Sequence, residues 1–402
     1  MQARNKLPIA IAGGGIGGLA AALALAQKGF SSLVLEQVAQ FGEAGVGLQV
    51  APNALSALDA LGVGEPVKRR ALLIERMVMY DTVTGSEVVN VECGARFRER
   101  FGNPYAVAHR ADVHGALLEA CRAHPLVSLR THARVTQFEQ DGTSVRVALQ
   151  SGETIDAQAL IGADGIRSIV RHALLNDGPP EASGAIIFRA VIPAGDMPKD
   201  LQHPYPSFWA GPNSHVIYYP VRDWSLFNFG ATIVTGEADR DESSDIDPAQ
   251  VLPLFAEHHA TVQRVLRIPK AFRCYVIRHR PPVETWTSGR VTLLGDAAHP
   301  MVQYIAQGAA MALEDAVTLA ACADRFDDLA AALQAYQAIR IVRTARVQIS
   351  SLMMHRLNHA TGVERLVRNS LFEGRSQEDH YERLAWLYTP PADILRFSQL
   401  PR

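Results

Sequence analysis

The stretch that most constrains this chain covers residues 9–36. Four apolar residues lead into Gly13, Gly15 and Gly18, spaced as G-x-G-x-x-G, and an alanine- and leucine-rich run follows. A second short apolar run ends at Glu36. Strand, tight turn, helix and strand in this order, with an acidic residue at the end, form the dinucleotide-binding fingerprint. We therefore predict a bound dinucleotide, although a glycine-rich turn that binds nothing is the plainer alternative.

Each element of this fingerprint has a physical role. Gly13 allows the tight turn, Gly15 lets the backbone approach a pyrophosphate, and Gly18 lets the helix pack closely on the strand. The helix N-terminus presents free N–H groups and the positive end of its dipole to the phosphates. Glu36 can accept hydrogen bonds from ribose hydroxyls, and it would repel the 2′-phosphate of NADP.

Length, net charge and cysteine spacing limit the classes of protein to which this chain can belong. A chain of 402 residues is long enough for two domains, and a net charge of −2 does not point to nucleic acid or to an acidic membrane surface. We find no secretory leader and no apolar run long enough to span a membrane, so we expect a cytoplasmic protein. The four scattered cysteines have no metal-binding spacing and are expected to be buried free thiols: Cys93, Cys121, Cys274 and Cys322.

Two later segments repeat the pattern of an apolar strand that ends in an acidic residue. Residues 160–165 run into Asp164, and residues 291–296 run into Asp296. A long helix is predicted from about Gly308, and its N-terminal dipole could stabilise negative charge on a bound ring. Asp296 could accept a hydrogen bond from a sugar-like hydroxyl, whereas Asp164 also fits a common Asp-Gly turn.

A glycine-rich segment, residues 41–49, is predicted to be a loop at the carboxyl edge of the sheet, where ligands collect in open α/β folds. It contains Gly47. A surface turn is the alternative. Arg110 is expected just before a helix, where its guanidinium suits phosphate or flavin oxygens, and an ordinary capping salt bridge is the rival interpretation.

Residues 185–238 are rich in aromatic and β-branched side chains and predict several strands of one mixed or antiparallel sheet. His215 and Tyr219 are four residues apart, so on a strand both side chains point to the same face. Together they could line a pocket for a polar aromatic ligand. A histidine satisfied within the sheet is the alternative for His215.

The three motifs, residues 13–18 with Glu36, 162–165 and 294–300, occur in an order and context that resembles the single-component FAD-dependent aromatic hydroxylases. The resemblance covers nearly the whole chain. It implies a fold like that of p-hydroxybenzoate hydroxylase: an α/β, Rossmann-type FAD-binding domain, a second domain with a mixed or antiparallel sheet for the substrate, and C-terminal helices. FAD would be tightly but non-covalently bound, and NADH would be a transient co-substrate.

The resemblance also implies site roles. His215 would remove the phenolic proton of the substrate, Tyr219 would orient the phenol, and Gln303 would hold the substrate from the flavin side. The residue that anchors the substrate carboxylate is left unassigned. The residues expected to contact FAD are Gly13, Gly15, Gly18, Glu36, Gly47, Arg110, Val135, Asp164, Asp296, Gly308 and Ala309.

Within the family, the chain most resembles members that hydroxylate 3-hydroxybenzoate para to its hydroxyl to give gentisate. Hydroxylases of salicylate and 6-hydroxynicotinate share the framework, although the latter carry a histidine where this chain has Gly47. A flavin-binding protein without turnover is a further alternative. The expected partners are a small aromatic acid, O2 and NADH, with no nucleic acid, and a homodimer is compatible with the sequence.

The same resemblance implies a division of the chain in which the two domains interleave. We assign residues 1–71, 105–175 and 281–350 to the FAD-binding domain, residues 72–104 and 176–280 to the substrate domain, and residues 351–402 to a C-terminal helical segment.

Overall fold

A computed structural model describes residues 7–42, 47–236 and 243–397. Residues 43–46 of the predicted glycine-rich loop lie outside these ranges. The strands within them are β1 (Ile9–Ala12), β2 (Ser32–Leu35), β3 (Gly47–Val50), β4 (Leu72–Leu73), β5 (Arg76–Asp81), β6 (Glu87–Glu92), β7 (Ala106–His109), β8 (Val127–Arg130), β9 (Val135–Gln140), β10 (Val145–Leu149), β11 (Thr154–Ala157), β12 (Ala159–Gly162), β13 (Glu181–Pro193), β14 (Ser207–Gly211), β15 (Ser214–Val221), β16 (Leu226–Val234), β17 (Ser243–Ile246), β18 (Phe272–His279), β19 (Thr287–Ser288) and β20 (Val291–Leu293).

The α-helices within the same ranges are α1 (Ile16–Gln27), α2 (Pro52–Ala60), α3 (Gly64–Arg70), α4 (Ala95–Phe101), α5 (Arg110–Ala123), α6 (Ile169–Leu175), α7 (Pro248–Val251), α8 (Ala260–Leu266), α9 (Gly308–Arg325), α10 (Leu329–Asn358), α11 (Gly362–Ser370), α12 (Gln377–Tyr388) and α13 (Ala392–Arg396). Short 3-10 turns occur as well, and one of them, Gly295–Ala297, borders the site described below.

The first large sheet has six strands in the order β19-β20-β12-β1-β2-β8. All of its pairings are parallel except that of the edge strand β19. Every residue of β1 is buried, as expected for a parallel strand that is covered on both faces. The motifs predicted to bind a dinucleotide follow β1, β12 and β20, which are neighbours, so their carboxyl ends lie at one edge of the sheet.

The second large sheet has eight strands in the order β17-β18-β13-β16-β15-β14-β5-β6. It is a mixed sheet, because β14 and β5 pair in parallel while the other neighbours are antiparallel. Its aromatic side chains form a separate buried cluster that includes Phe188, Phe227 and Phe229. The two sheets and the long C-terminal helices confirm the predicted α/β fold class.

Two local predictions were wrong. Gly47 does not continue a loop but begins β3, which pairs with β7 in one of two three-stranded sheets, because the backbone of β7 offers antiparallel partners to this segment. Residues 127–155 alternate in the sequence, with turns at 141–142 and 151–152, and this pattern predicts an antiparallel hairpin that includes the segment of β8. Strand β8 instead joins β2 in parallel at the edge of the six-stranded sheet. The division into interleaved domains remains a prediction.

The chain finishes with helices α10 to α13, of which α10 spans 30 residues. Among the described residues, no helix is long and apolar enough to cross a membrane.

Candidate active site

A cavity of about 1130 Å³ is lined by residues of both large sheets. Ala12 and Leu35 contribute from the six-stranded sheet, and Arg189 and Ile217 contribute from the eight-stranded sheet. Pockets for a single small molecule are usually about 300–1,000 Å³. This volume therefore suits a large ligand together with a smaller one.

The glycines of the first motif create the first end of the cavity. Gly13 has φ +105°, and a Cβ there would lie 2.3 Å from the carbonyl oxygen of Ala163. A Cβ at Gly18 would lie 2.0 Å from the carbonyl oxygen of Gly13, so only glycine lets α1 pack this closely on the turn. Gly15 precedes α1 and lines the cavity, whereas Gly18 lies behind the turn and is not a lining residue.

Glu36 lies at the end of β2 and also lines this end of the cavity. Its carboxylate accepts hydrogen bonds from the backbone N–H of Gly14 at 2.7 Å and of Val38 at 3.0 Å. A carboxylate has about four lone-pair sites, so both oxygens can still accept from a ligand. The side chain therefore braces the glycine turn as well as facing the expected ribose.

Asp296 projects from the 3-10 turn after β20 and is exposed to the cavity. Among the described residues it has no hydrogen-bond or ion-pair partner. Gly308 and Ala309 begin α9 beside it, so the free N–H groups of that helix end face the same space. An unpaired acceptor next to a helix N-terminus fits a polyhydroxyl chain followed by a ring that becomes negatively charged.

Asp164 lines the cavity, but its carboxylate already has internal donors. It accepts from the Ser168 hydroxyl, from Ile169 N at 2.8 Å and from Val170 N at 3.3 Å, and so it helps to cap α6. Burial raises the pKa of Asp164, while these hydrogen bonds act to lower it. Its direct contact with FAD remains a prediction. The hydrogen bonds that it makes to residues 168–170 are those of the alternative interpretation, in which Asp164 only stabilises the local turn.

The remaining predicted FAD residues also line the cavity. Arg110 is the first residue of α5 and does not precede the helix as expected. Val135 begins β9. Gly47 N donates to Asn228 Oδ1 at 2.8 Å, and a Cβ at Gly47 would lie 2.7 Å from Tyr219 Cε2. Gly47 therefore lies where the first end of the cavity meets the second.

A buried polar network holds the turn that carries Asp296. Asp315 accepts from Gly295 N at 3.0 Å, from His299 Nε2 at 2.6 Å and from Arg340 Nε at 2.7 Å. Burial would raise the pKa of Asp315, but His299 and Arg340 outweigh this effect and lower it to about 2. The sequence offered no signal for this network, because its members come from the β20 turn, α9 and α10.

The second end of the cavity lies on the eight-stranded sheet. His215, Ile217 and Tyr219 alternate along β15 and all line the cavity, as the period of a strand predicts. Ile217 is directly opposite Gly230, and Gly230 is directly opposite Arg189 on β13. Directly paired residues share a face. Arg189 therefore faces the midpoint between His215 and Tyr219, across a position that has no side chain.

His215 is 2% exposed and its Nδ1 lies 2.8 Å from Nε2 of His359. Its Nε2 has no hydrogen-bond partner among the described residues. Burial lowers the pKa of His215 well below its usual range, and His359, His355 and Arg189 lower it further. Burial raises the pKa of Tyr219, while Arg189 acts to lower it. Both side chains are thus neutral near pH 7.

Arg189 was missed from the sequence. Its Nη2 donates to Gln303 Oε1 at 2.6 Å, and no carboxylate among the described residues pairs with it. Burial lowers the pKa of Arg189, and Arg110 acts in the same direction. The available signal was a single charge inside the apolar run 185–192, since an arginine at such a position needs a partner. The structure brings Arg189, Gln303, His215 and Tyr219 onto one cavity.

The fold and the cavity define a dinucleotide-binding α/β protein with room for a second, anionic ligand. Three features fit FAD: Asp296, which has no partner in the described part of the chain, the glycine turn that a Cβ would obstruct, and the N-terminus of α9. The family described as "FAD binding domain" matches residues 6–341. The chain belongs to this family of FAD-binding proteins.

Relatives whose activity is named match nearly the whole chain. The chain is 44% identical to the 3-hydroxybenzoate 6-hydroxylase of Klebsiella oxytoca, over 94% of this chain and 95% of that protein. It is 45% identical to the protein of the same name from Polaromonas naphthalenivorans (strain CJ2), over 95% and 96%. Among solved structures, Klebsiella pneumoniae HpxO complexed with FAD and uric acid superposes with a TM-score of 0.83 at 26% identity, over 95% of this chain and 97% of that chain.

Proposed function

We propose that this chain hydroxylates 3-hydroxybenzoate para to its hydroxyl. In the balanced reaction, 3-hydroxybenzoate, NADH, a proton and O2 give 2,5-dihydroxybenzoate (gentisate), NAD⁺ and water. The observation that carries the proposal is a single cavity. Residues predicted to bind FAD line one end, and at the other end an arginine that pairs with no carboxylate of the described residues lies beside a histidine–tyrosine pair. The names of the two bacterial relatives support the choice of substrate.

FAD, once bound and reduced by NADH, supplies the electrons and the oxygen activation that amino-acid side chains lack. Its sugar hydroxyls would be held by Glu36 and Asp296, and its negative charge would be stabilised at the N-terminus of α9. Arg189 is the cation for the substrate carboxylate, because its guanidinium faces the cavity and pairs with no carboxylate of the described chain. Its planar fork can bind both carboxylate oxygens.

The protein side chains act on the phenol group of the substrate. Electrophilic oxygen attacks a ring carbon para to a phenolate faster than one para to a phenol, so removal of the phenolic proton assists the reaction. His215 is suited to take this proton, because it is neutral and its Nε2 is the nitrogen left without a protein partner. Tyr219 orients the phenol oxygen by a hydrogen bond. Gln303 steadies Arg189 and contacts the substrate from the flavin side.

The alternatives fit less well. The 6-hydroxynicotinate hydroxylases carry a histidine at the position of Gly47. This chain has no space for such a side chain, since even a Cβ at Gly47 would lie 2.7 Å from Tyr219. A flavin-binding protein without turnover would have no need for a half-buried arginine, next to a base, that pairs with no carboxylate in the described part of the chain.

The reducing cytoplasm is the compartment we propose. Support comes from the four cysteines, which are all buried and unbridged. We propose NADH as the nicotinamide co-substrate because the chain resembles the family of FAD-dependent aromatic hydroxylases.

The test is product analysis on the FAD-loaded protein. It would be incubated with NADH, O2 and, in parallel, 3-hydroxybenzoate, salicylate or 6-hydroxynicotinate, and the products separated by chromatography. We expect gentisate from 3-hydroxybenzoate, one per NADH consumed. Catechol from salicylate, or a decarboxylated product from 6-hydroxynicotinate, as the main product would overturn the substrate assignment. NADH oxidation that no aromatic acid stimulates would overturn the hydroxylase assignment.

A further inference from the structure

His359 lies behind the proposed base and is not a lining residue of the cavity. It caps the C-terminus of α10, is 6% exposed, and its Nε2 lies 2.8 Å from Nδ1 of His215. The two rings are stacked with centroids 5.0 Å apart. The backbone also fixes this contact, because Asn213 N, two residues before His215, donates to the carbonyl oxygen of His359 at 3.0 Å.

Two neutral imidazoles at this distance share one proton, so one nitrogen donates and the other accepts. If His359 Nε2 donates, His215 must carry its own proton on Nε2, and it cannot accept a proton from a ligand in the cavity. If His215 Nδ1 donates, its Nε2 is bare and can act as a base. Which ring nitrogen carries the proton is set by the bond that the other nitrogen makes.

We propose that His359 is a positioning residue that accepts the Nδ1–H of His215 and so keeps Nε2 bare toward the substrate phenol, an inference that rests on the function proposed above. The phenolic proton then passes to His215 Nε2 and returns by the same path when the product leaves. No other bond is made or broken. His359 touches neither the substrate nor the flavin.

The surroundings fit an uncharged pair of imidazoles in the substrate-free protein. The groups that face the pair are Tyr304, with ring centroids 5.5 Å from His215 and 5.2 Å from His359, His355, at 4.7 Å from His359, and Arg189, two strands away on the same sheet. None of them is a carboxylate, so both imidazoles are neutral before the substrate binds, and the imidazolium that forms when His215 takes the phenolic proton is balanced by the phenolate formed beside it. A neutral acceptor at His359 therefore orients His215 without placing a permanent charge in the buried site.

The experiment uses the FAD-loaded protein in two measurements. Histidine-selective ¹⁵N NMR without substrate reports the tautomer of His215, assigned by comparison with His215→Gln. Ultraviolet difference spectra with bound 3-hydroxybenzoate, without NADH, report the fraction of phenolate. The variants are His359→Leu, which removes the acceptor, and His359→Gln, whose amide oxygen can replace it. His258→Gln is the matched control, because His258 Nε2 bonds Ser214 Oγ at 2.6 Å, next to His215 on the same strand.

We expect the parent to show His215 protonated on Nδ1. Loss of the acceptor in His359→Leu should lower phenolate formation and hydroxylation by about 10²-fold or more, the range for loss of a general base, with KM little changed. His359→Gln should recover most of both signals, and His258→Gln should match the parent in both.

A parent spectrum with His215 protonated on Nε2 would overturn the inference even if gentisate is formed. Equal phenolate in His359→Leu and the parent would do so as well. If His359→Leu does not fold, the parent tautomer and the glutamine variant still decide. A parent with the expected tautomer but no gentisate would instead count against the proposed function alone.

Discussion

Replacing Arg189 with methionine tests the substrate end of the cavity most directly. The substitution keeps an unbranched apolar stem and removes the guanidinium, which has no carboxylate partner among the described residues. A buried hydrogen bond to a charged group contributes about 1.5–3 kcal/mol, and breaking a buried ion pair costs about 3–5 kcal/mol. At 1.4 kcal/mol per tenfold change in binding, 3-hydroxybenzoate should bind about 10²- to 10³-fold more weakly to Arg189→Met.

The assay is flavin fluorescence or absorbance titration with 3-hydroxybenzoate and, in parallel, with 3-hydroxybenzamide, which keeps the phenol and lacks the charge. The amide should bind about 10- to 10²-fold more weakly, because the substitution removes a hydrogen bond from the charged guanidinium to a neutral oxygen but no ion pair. The difference between the two losses isolates the pairing between the arginine and the carboxylate. Arg273→Met is the matched control, since Arg273 lies opposite Arg189 on β18 but is exposed and does not line the cavity.

Equal losses for the acid and the amide would refute the reasoning and leave Arg189 as a structural residue. The ligand-free protein offers an independent check. Because Arg189 is a desolvated cation without a carboxylate, Arg189→Met should unfold at the same or a higher temperature than the parent. A marked fall in melting temperature would indicate that the guanidinium has a structural role.

Three further predictions address other parts of the site. His215→Ala should retain FAD and substrate-stimulated NADH oxidation but release hydrogen peroxide in place of gentisate, with hydroxylation falling by ~10²–10⁴-fold. Tyr219→Phe should show a smaller loss of hydroxylation of the same kind. Unchanged gentisate per NADH in His215→Ala would contradict the assignment of the base. Asp296→Ala and Glu36→Ala should lose FAD more readily on dialysis, measured by the absorbance ratio of flavin to protein, and retention equal to the parent in both would contradict the site. The pKa of His359 is lowered to about 3, so between about pH 6.5 and 3 the unfolded chain binds a proton at this histidine and the folded chain does not. The free energy of unfolding should therefore fall as the pH is lowered through this range, by at most about 1.4 kcal/mol per pH unit for this histidine. In urea titrations, His359→Gln should show a smaller slope of unfolding free energy against pH.

Local sequence was sufficient for the flavin-binding edge. The glycine turn, the first helix and Glu36 lie within 28 consecutive residues, and Gly13 and Gly18 are required by contacts inside that segment or with the neighbouring β12 turn. The helix predicted from Gly308 begins there. The alternation that placed His215 and Tyr219 on one face also depends only on the period of a strand.

Pairings between distant segments were not predictable in this way. Strand β8 could have continued a hairpin, and its parallel partner β2 was decided by the free edge of the six-stranded sheet. Residue Gly47 reads as a loop residue because glycine disfavours strands, yet β7 supplies a partner for its backbone. The carboxylate of Asp164 is bonded to the first turn of α6, an outcome that the Asp-Gly pattern allowed but did not select.

Sequence alone therefore determined the dinucleotide-binding motif, the fold class and the histidine–tyrosine pair, because each depends on spacing along the chain. Only the tertiary structure placed Arg189 opposite Ile217 across Gly230, and it placed His359, 144 residues away in sequence, against His215. A single arginine in a strand and a histidine at a helix end have no periodic signal. Their roles arise from strand register and from helix packing, which local sequence does not encode.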